Sequence, residues 1–296
     1  IPPRRRQPSA EGTVRGVTSD PPRSRTVTVG AVQMTATPDR DQNLRWASEL
    51  VARAVDEDAS IVVLPELFAS MGPRRALLDA AEPLDGPTTT WAAEQAARPG
   101  RPGRAGAFVG SHGGGRRAST SCVLDPSGDL VASYRKIHLF DCDVPGAVFH
   151  ESAVFEAGDE VVVADAGPVR IGLSVCYDLR FPELYRALVD DGATLIVVPA
   201  AFTARTGQAH WEVLLRARAI EDQCFVVAAG QTGSSGPGLD WHGASMIIDP
   251  WGDVLARAPD AAEQAVETAI TASCDLERVA TVRGVLPSVA NRRLAP

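Results

Sequence analysis

Three polar residues follow apolar segments at points where a side chain can react as well as be solvated. Glu66 comes after Ile61-Val62-Val63-Leu64 and Pro65, which cannot continue a strand ladder, so its carboxylate is expected half-buried at a strand's end. Desolvation there raises a carboxyl pKa toward the range of a general base, although an isolated Leu-Pro-Glu also fits a surface loop. Lys136 stands just past an apolar stretch ending at Tyr134, and it is the sole lysine beside 28 arginines. On a solvated face the two cations substitute freely, whereas a compact ammonium differs from a planar fork where a developing oxyanion must be held. A leftover solvated lysine is the alternative. Cys176 lies where an apolar strand over 169–175 gives way to a helix opening near Pro182. That is the position of a nucleophile elbow, whose tight turn exposes the side chain and aims the next backbone N–H at a reacting carbonyl. A helix N-terminus and a nearby lysine would both lower the thiol pKa. The other cysteines, at 122, 142, 224 and 274, read as inert core residues.

Regular elements must hold these residues in place. Alternation of Val27, Val29 and Ala31 with polar neighbours predicts a strand over 26–34. Leu44, Ala47, Val51, Ala54 and Val55 share one face of a helix over 42–58, with Asp39 or Asp41 near its start, and a buried strand follows over 61–64. A helix over 88–97 and strands over 107–111, 120–125 and 130–134 come next, the last two joined by Asp125-Pro126-Ser127-Gly128-Asp129. The same Asp-Pro-x-Gly-Asp device recurs at 249–253, between strands over 244–248 and 254–258. Two sheets built alike would explain the repeat, and so would common turn chemistry. Strands over 195–198 and 224–229 flank a helix over 208–222, and a strand over 265–272 and a short helix from 276 close the chain. Helices alternating with strands, plus hairpins, make this an α/β layered sandwich with mixed sheets. No internal linker interrupts 26–296, which reads as one domain behind a Pro/Arg-rich extension over 1–25.

The motifs around the three residues resemble those of one family. Leu64-Pro65-Glu66-Leu67, the run Tyr134-Arg135-Lys136-Ile137-His138-Leu139-Phe140-Asp141 and the run 175–186 occur in the order Glu, Lys, Cys at spacings of 70 and 40 residues. In this the chain resembles the nitrilase superfamily of carbon–nitrogen hydrolases, over essentially all of 26–275. The resemblance implies an α-β-β-α sandwich with two mixed sheets, pairing into a homodimer or larger homo-oligomer through helices of the Cys-bearing face, and neither cofactor nor metal. Carried over by position, it makes Glu66 the general base, Lys136 the oxyanion holder and Cys176 the nucleophile, with the Tyr177 N–H as second oxyanion donor. Glu151 matches a second glutamate that orients substrate and lysine. The segment from Ala209 to Glu221, with Asp249-Pro250-Trp251-Gly252, is most similar to amidases that clear deaminated glutathione, and next to ω-amidases acting on 2-oxoglutaramate-like acids; an N-carbamoyl amino acid hydrolase and a binding protein that kept the fold are the further alternatives. The stretch 117–120 and the Pro/Gly/Arg loop over 98–106 depart from the family's usual pattern. Arg180 is read two ways, as a fork for a substrate carboxylate or as half of a structural salt bridge.

Composition narrows the partners. Net charge is −8, and six arginines against Glu11 and Asp20 give the first 25 residues +4, so the rest carries about −12. Such an acidic body lacks the basic face that nucleic acid requires. No run approaches the ~18 apolar residues of a membrane span. Five cysteines without a C-x-x-C, and five histidines without metal-ligand spacing, point to a reducing, cytoplasmic compartment and to no metal site. A small-molecule amide is the expected substrate.

Overall fold

The computed structural model describes residues 26–98, 105–111, 117–144 and 147–294; the expected extension over 1–25 and much of the Pro/Gly/Arg loop lie outside them. The first half of the chain runs β1 (Thr26–Gln33), α1 (Arg40–Asp56), β2 (Ile61–Val63), α2 (Arg74–Asp79), α3 (Pro87–Ala96), β3 (Ala105–Ser111), β4 (Ser119–Leu124), β5 (Leu130–Arg135). An excursion follows: the hairpin β6 (Asp141–Val144) and β7 (Ala147–His150), then a single 3-10 turn over Glu151–Ala153. The second half runs β8 (Val163–Ala166), β9 (Val169–Leu173), a 3-10 turn over Cys176–Arg180, α4 (Pro182–Asp190), β10 (Leu195–Ala200), α5 (Ala204–Asp222) and β11 (Phe225–Gly230). The short hairpin β12 (Thr232–Ser234) and β13 (Asp240–His242) leads to β14 (Met246–Ile248), β15 (Val254–Arg257), α6 (Ala261–Gln264), β16 (Thr268–Asp275) and α7 (Glu277–Val285).

Two six-stranded mixed sheets result, in the orders β16-β1-β2-β3-β4-β5 and β15-β14-β11-β10-β9-β8. Each has a parallel core of three strands, β1-β2-β3 or β9-β10-β11, flanked by antiparallel partners. Residues alternate between the two faces of the first sheet. Val29, Ala31, Ile61 and Val63 join the core shared with the second sheet, while Val32, Val62 and Leu64 turn outward to pack beneath α1 and α3. On the far side, Leu184, Leu188, Trp211 and Leu215 of α4 and α5 cover the second sheet. The layers are therefore helix, sheet, sheet, helix, as the motif resemblance implied. Among the described residues no helix is long and apolar enough to cross a membrane.

Local chemistry accounts for the boundaries. Asp39 caps α1 by accepting from the Gln42 N–H at 3.0 Å, and Pro182 opens α4 where its missing N–H costs nothing. The buried face of α1 is turned slightly from the expected one. Asn43 is buried and Leu44 only partly so, because the Asn43 amide bonds Thr37 O at 2.7 Å and Ala69 O at 2.9 Å and draws the loop after β2 onto the helix start. The sequence reading missed α2, β6, β7, β8, β12, β13 and α6: these are short, and β6 with β7 pairs only with itself, outside both sheets, so no apolar alternation marks it.

Candidate active site

Glu66, Lys136 and Cys176 come from the ends of three strands in two sheets and meet between them. Each is buried, with 3%, 1% and 5% of its surface exposed. Glu66 follows β2 and Pro65, and Leu67 beyond it takes a left-handed φ of 55°, which turns the chain away and leaves the carboxylate pointing into the seam. Its Oε1 accepts from Lys136 Nζ at 2.9 Å and its Oε2 from the Ala201 N–H at 3.0 Å, at the end of β10. Gln231, just past β11, donates to the Glu66 carbonyl at 3.0 Å and accepts from the Ala36 N–H at 2.8 Å. The second sheet thus holds both ends of a residue supplied by the first.

Lys136 follows β5, where its backbone N–H still bonds Ser119 O at 2.9 Å. Its ammonium reaches Glu151 Oε1 and Oε2, both at 2.8 Å, besides Glu66. Glu151 sits on the 3-10 turn after the β6–β7 hairpin and also accepts from the Phe140 N–H at 2.5 Å. Burial opposes charge on Lys136, but Glu151 and then Glu66 outweigh it and hold the ammonium well above its usual range. Burial pushes the Glu151 carboxyl up, with Lys136 pulling against it. One buried cation between two carboxylates is a charge-complemented cluster, and removal of one member would strand the others.

Cys176 has a φ of 49°, unusual for a residue with a side chain, and begins the 3-10 turn after β9. Asp178 holds that turn. It is fully buried and accepts from the Val175 N–H at 2.9 Å, the Tyr134 hydroxyl at 2.7 Å and the His138 N–H at 3.0 Å, with His138 Nδ1 at 2.7 Å. Tyr134 and His138 flank Lys136 in the chain, so Asp178 ties the lysine segment to the cysteine turn. His138 is accordingly a structural residue. Tyr177 lies in the first turn of that 3-10 segment, where backbone N–H groups lack acceptors within the turn.

The expected lowering of the thiol pKa is overturned. A 3-10 turn separates Cys176 from α4, so no α-helix terminus faces the sulfur, and burial and the Glu66 charge push the thiol well above its usual value against the pull of Lys136. Cys176 is therefore held as a thiol beside the Glu66 carboxylate. The salt-bridge reading of Arg180 also gives way. Its guanidinium lies 5.1 Å from the Phe202 ring centre and 5.7 Å from that of Tyr177, with Nη1 3.2 Å from His210 Nδ1, and no carboxylate among the described residues pairs with it.

Two spaces meet at Cys176. A cavity of about 670 Å³ is lined by Glu66, Lys136, Glu151 and Cys176 at its base and by mainly apolar side chains outward. A narrow cleft between Tyr177, Phe202 and Thr206 leads from Cys176 to Arg180. Sequence reasoning missed Ala201 and Gln231. Ala201 contributes only a backbone N–H, which leaves no mark in sequence, whereas Gln231 ends the apolar run of β11 much as Glu66 ends that of β2.

A carboxylate, an ammonium and a thiol around one cavity suit acyl transfer from nitrogen, and comparison with known proteins agrees. The family model for carbon–nitrogen hydrolases matches residues 28–284. A Synechocystis protein named deaminated glutathione amidase is 41% identical over 267 residues, covering 88% of this chain and 96% of that one. The Xenopus tropicalis omega-amidase NIT2 is 36% identical over 263 residues, 88% of this chain and 93% of that one. Saccharomyces cerevisiae Nit3, described as a member of branch 10 of the nitrilase superfamily, superposes with a TM-score of 0.80 at 27% identity, covering 91% of this chain and 97% of that one.

Proposed function

The chain belongs to the carbon–nitrogen hydrolase family, and from that premise we propose that it hydrolyses the side-chain amide of a small 2-oxo dicarboxylic acid, deaminated glutathione first among them, through a thioester on Cys176. The observation that carries this reading is the buried contact of Lys136 with Glu66 and Glu151 beside the Cys176 thiol. In it, the Cys176 sulfur adds to the amide carbon as its proton passes to Glu66. Lys136 Nζ and the Tyr177 N–H hold the oxyanion. As the C–N bond breaks, Glu66 returns that proton to the departing nitrogen, and the acyl group stays on sulfur. Water then enters, gives a proton to Glu66 and attacks the thioester. The C–S bond breaks, the acid leaves, and the proton on Glu66 restores the thiol. Glu151 positions Lys136, and Arg180 donates from its fork to the substrate's own carboxylate.

Acid–base assistance contributes roughly 10²–10⁴ in rate and an oxyanion donor roughly 10²–10³. The test is a slowly deacylating amide followed by intact and peptide mass spectrometry, with an acyl adduct expected on Cys176. An adduct mapping to Cys122, Cys142, Cys224 or Cys274 would remove the assignment. The simpler ω-amidase reaction, releasing ammonia from 2-oxoglutaramate, is the second reading and rests on the likeness to the Xenopus protein. We further place the enzyme in the cytoplasm as a homodimer, a pairing that the exposed Val213 and Ile220 of α5 would serve.

A further inference from the structure

The two spaces at Cys176 differ in which catalytic groups they contain, and that difference assigns them. Glu66, the group that protonates the departing nitrogen, lines the wide cavity and not the narrow cleft, and Lys136 and Glu151 do the same. The leaving group therefore occupies the wide cavity, and the acyl chain lies toward Arg180. Ammonia would leave nearly all of about 670 Å³ unused. The walls beyond the catalytic groups are apolar, with Met71, Phe155, Leu239 and Trp241 among them, and Val148 is 59% exposed at the mouth. One cation sits in this lining beyond Lys136. Arg74, in the first turn of α2, is exposed and donates from Nη2 to Ala153 O at 3.0 Å, which holds its guanidinium over the cavity wall. No carboxylate among the described residues pairs with it, whereas its neighbour Arg75 is paired with Asp79 at 2.8 Å and lies outside the lining.

We propose that the wide cavity is a subsite for a bulky leaving amine that ends in a carboxylate, a dipeptide in chemical class, and that Arg74 binds this carboxylate at the cavity mouth. The inference rests on the amidase reading above and deepens it: of the two reactions considered there, only the amide of a dipeptide carries a second carboxylate on its leaving side. A planar fork with one N–H committed to Ala153 O still has donors for a bidentate carboxylate. Because the site is open to solvent, the contribution is modest, on the order of ten-fold in affinity.

The experiment compares three amides of 2-oxoglutarate made on the carboxyl remote from the oxo group: the primary amide, the amide of cysteinylglycine, and the same dipeptide amide with its C-terminus blocked as a carboxamide. The last two differ only in the charge at the far end. The native enzyme is expected to favour the free over the blocked dipeptide by about ten-fold in kcat/KM, carried mainly by KM. Arg74→Ala is expected to remove that preference and Arg74→Glu to invert it, with Arg74→Lys restoring part of it; Arg75→Ala serves as the control and keeps the native ratio. An unchanged ratio in Arg74→Ala and Arg74→Glu overturns the role of Arg74. Turnover of the primary amide without turnover of either dipeptide overturns the subsite and leaves the amidase reading standing. Failure of all three amides removes both.

Discussion

The two halves of the chain share one design and contribute different chemistry. In each, three parallel strands are joined by helices, a hairpin continues the sheet, and an Asp-Pro-x-Gly-Asp turn closes that hairpin, between β4 and β5 or between β14 and β15. The recurrence of the turn in sequence is thus matched by equivalent positions in the two sheets. The first half supplies the charges of the site, Glu66 after β2 and Lys136 after β5. The second half supplies the Cys176 thiol, after β9, and the backbone donor of Ala201, after β10. Duplicated architecture puts several strand ends along one edge of the sandwich, and the seam between the sheets is where groups from both can meet out of water. Neither half holds the proposed site alone, because the carboxylate and ammonium lie in one and the thiol in the other.

The sharpest way to break this division is Lys136→Arg. Arginine keeps the charge but brings a broad fork into a space closed by Glu66 and Glu151, so turnover is expected to fall by about 10²-fold or more while circular dichroism stays native. Near-native kcat/KM in this variant would mean that the ammonium does not hold the oxyanion.

Two buried acids of the second half then separate a seam role from a local one. Asp178→Asn places an amide N–H₂ where Tyr134, His138 and Val175 all present donors, so a loss of about 2–3 kcal/mol is expected in denaturant unfolding, along with reduced kcat. Asp222 lies away from the seam, with Oδ1 3.0 Å from Arg186 Nη1 but neither oxygen in hydrogen-bonding geometry. Burial, opposed by Arg186, raises its carboxyl from 3.8 to about 7. Between those values the native state binds more protons than the unfolded chain, so this group costs stability as pH rises across that window, by no more than about 4 kcal/mol. Asp222→Asn is expected to flatten that part of the stability–pH curve and leave kcat near native; a curve unchanged from the native one would refute the buried-acid account.

The smallest effect tests how alike the two turns are. Gly128 and Gly252 both have left-handed φ, +88° and +91°. A methyl at 128 would lie 2.9 Å from the backbone oxygen of Ala93, whereas at 252 it would meet the side chain of Ile220, which is partly exposed and can rotate. Both alanine variants should lose about 1–2 kcal/mol for the backbone conformation. Gly128→Ala is expected to lose about 1 kcal/mol more in thermal unfolding, since a helix carbonyl does not move aside. Equal losses would mean that the two turns sit in equivalent surroundings.

Much of this was legible before any coordinates. Strand alternation, the Asp39 cap and Pro182 placed most elements within a few residues, because period and caps are local properties. Glu66, Lys136 and Cys176 could be singled out because a reactive polar group after an apolar run, or a lone lysine among arginines, departs from what solvation alone would produce. Glu151 was reached only through its match to a family motif, since nothing in His150-Glu151-Ser152 by itself marks a residue that will face a lysine.

Other properties belonged to tertiary structure alone. Whether the thiol pKa falls or rises depends on which charges and how much burial surround it, and the 3-10 turn and Glu66 set that direction. Asp178 accepts from residues that stand some 40 positions earlier in the chain, at Tyr134 and His138, partners that no local pattern around it announces. The assignment of a wide space to one side of Cys176, with Arg74 at its mouth, has no trace in spacing. Sequence determined which residue types were present and which local turns could form, because those depend on neighbours along the chain. The meeting of strand ends across two sheets, and the charges each group then feels, were decided by packing, because only packing brings distant residues within the few ångströms over which hydrogen bonds and buried charges act.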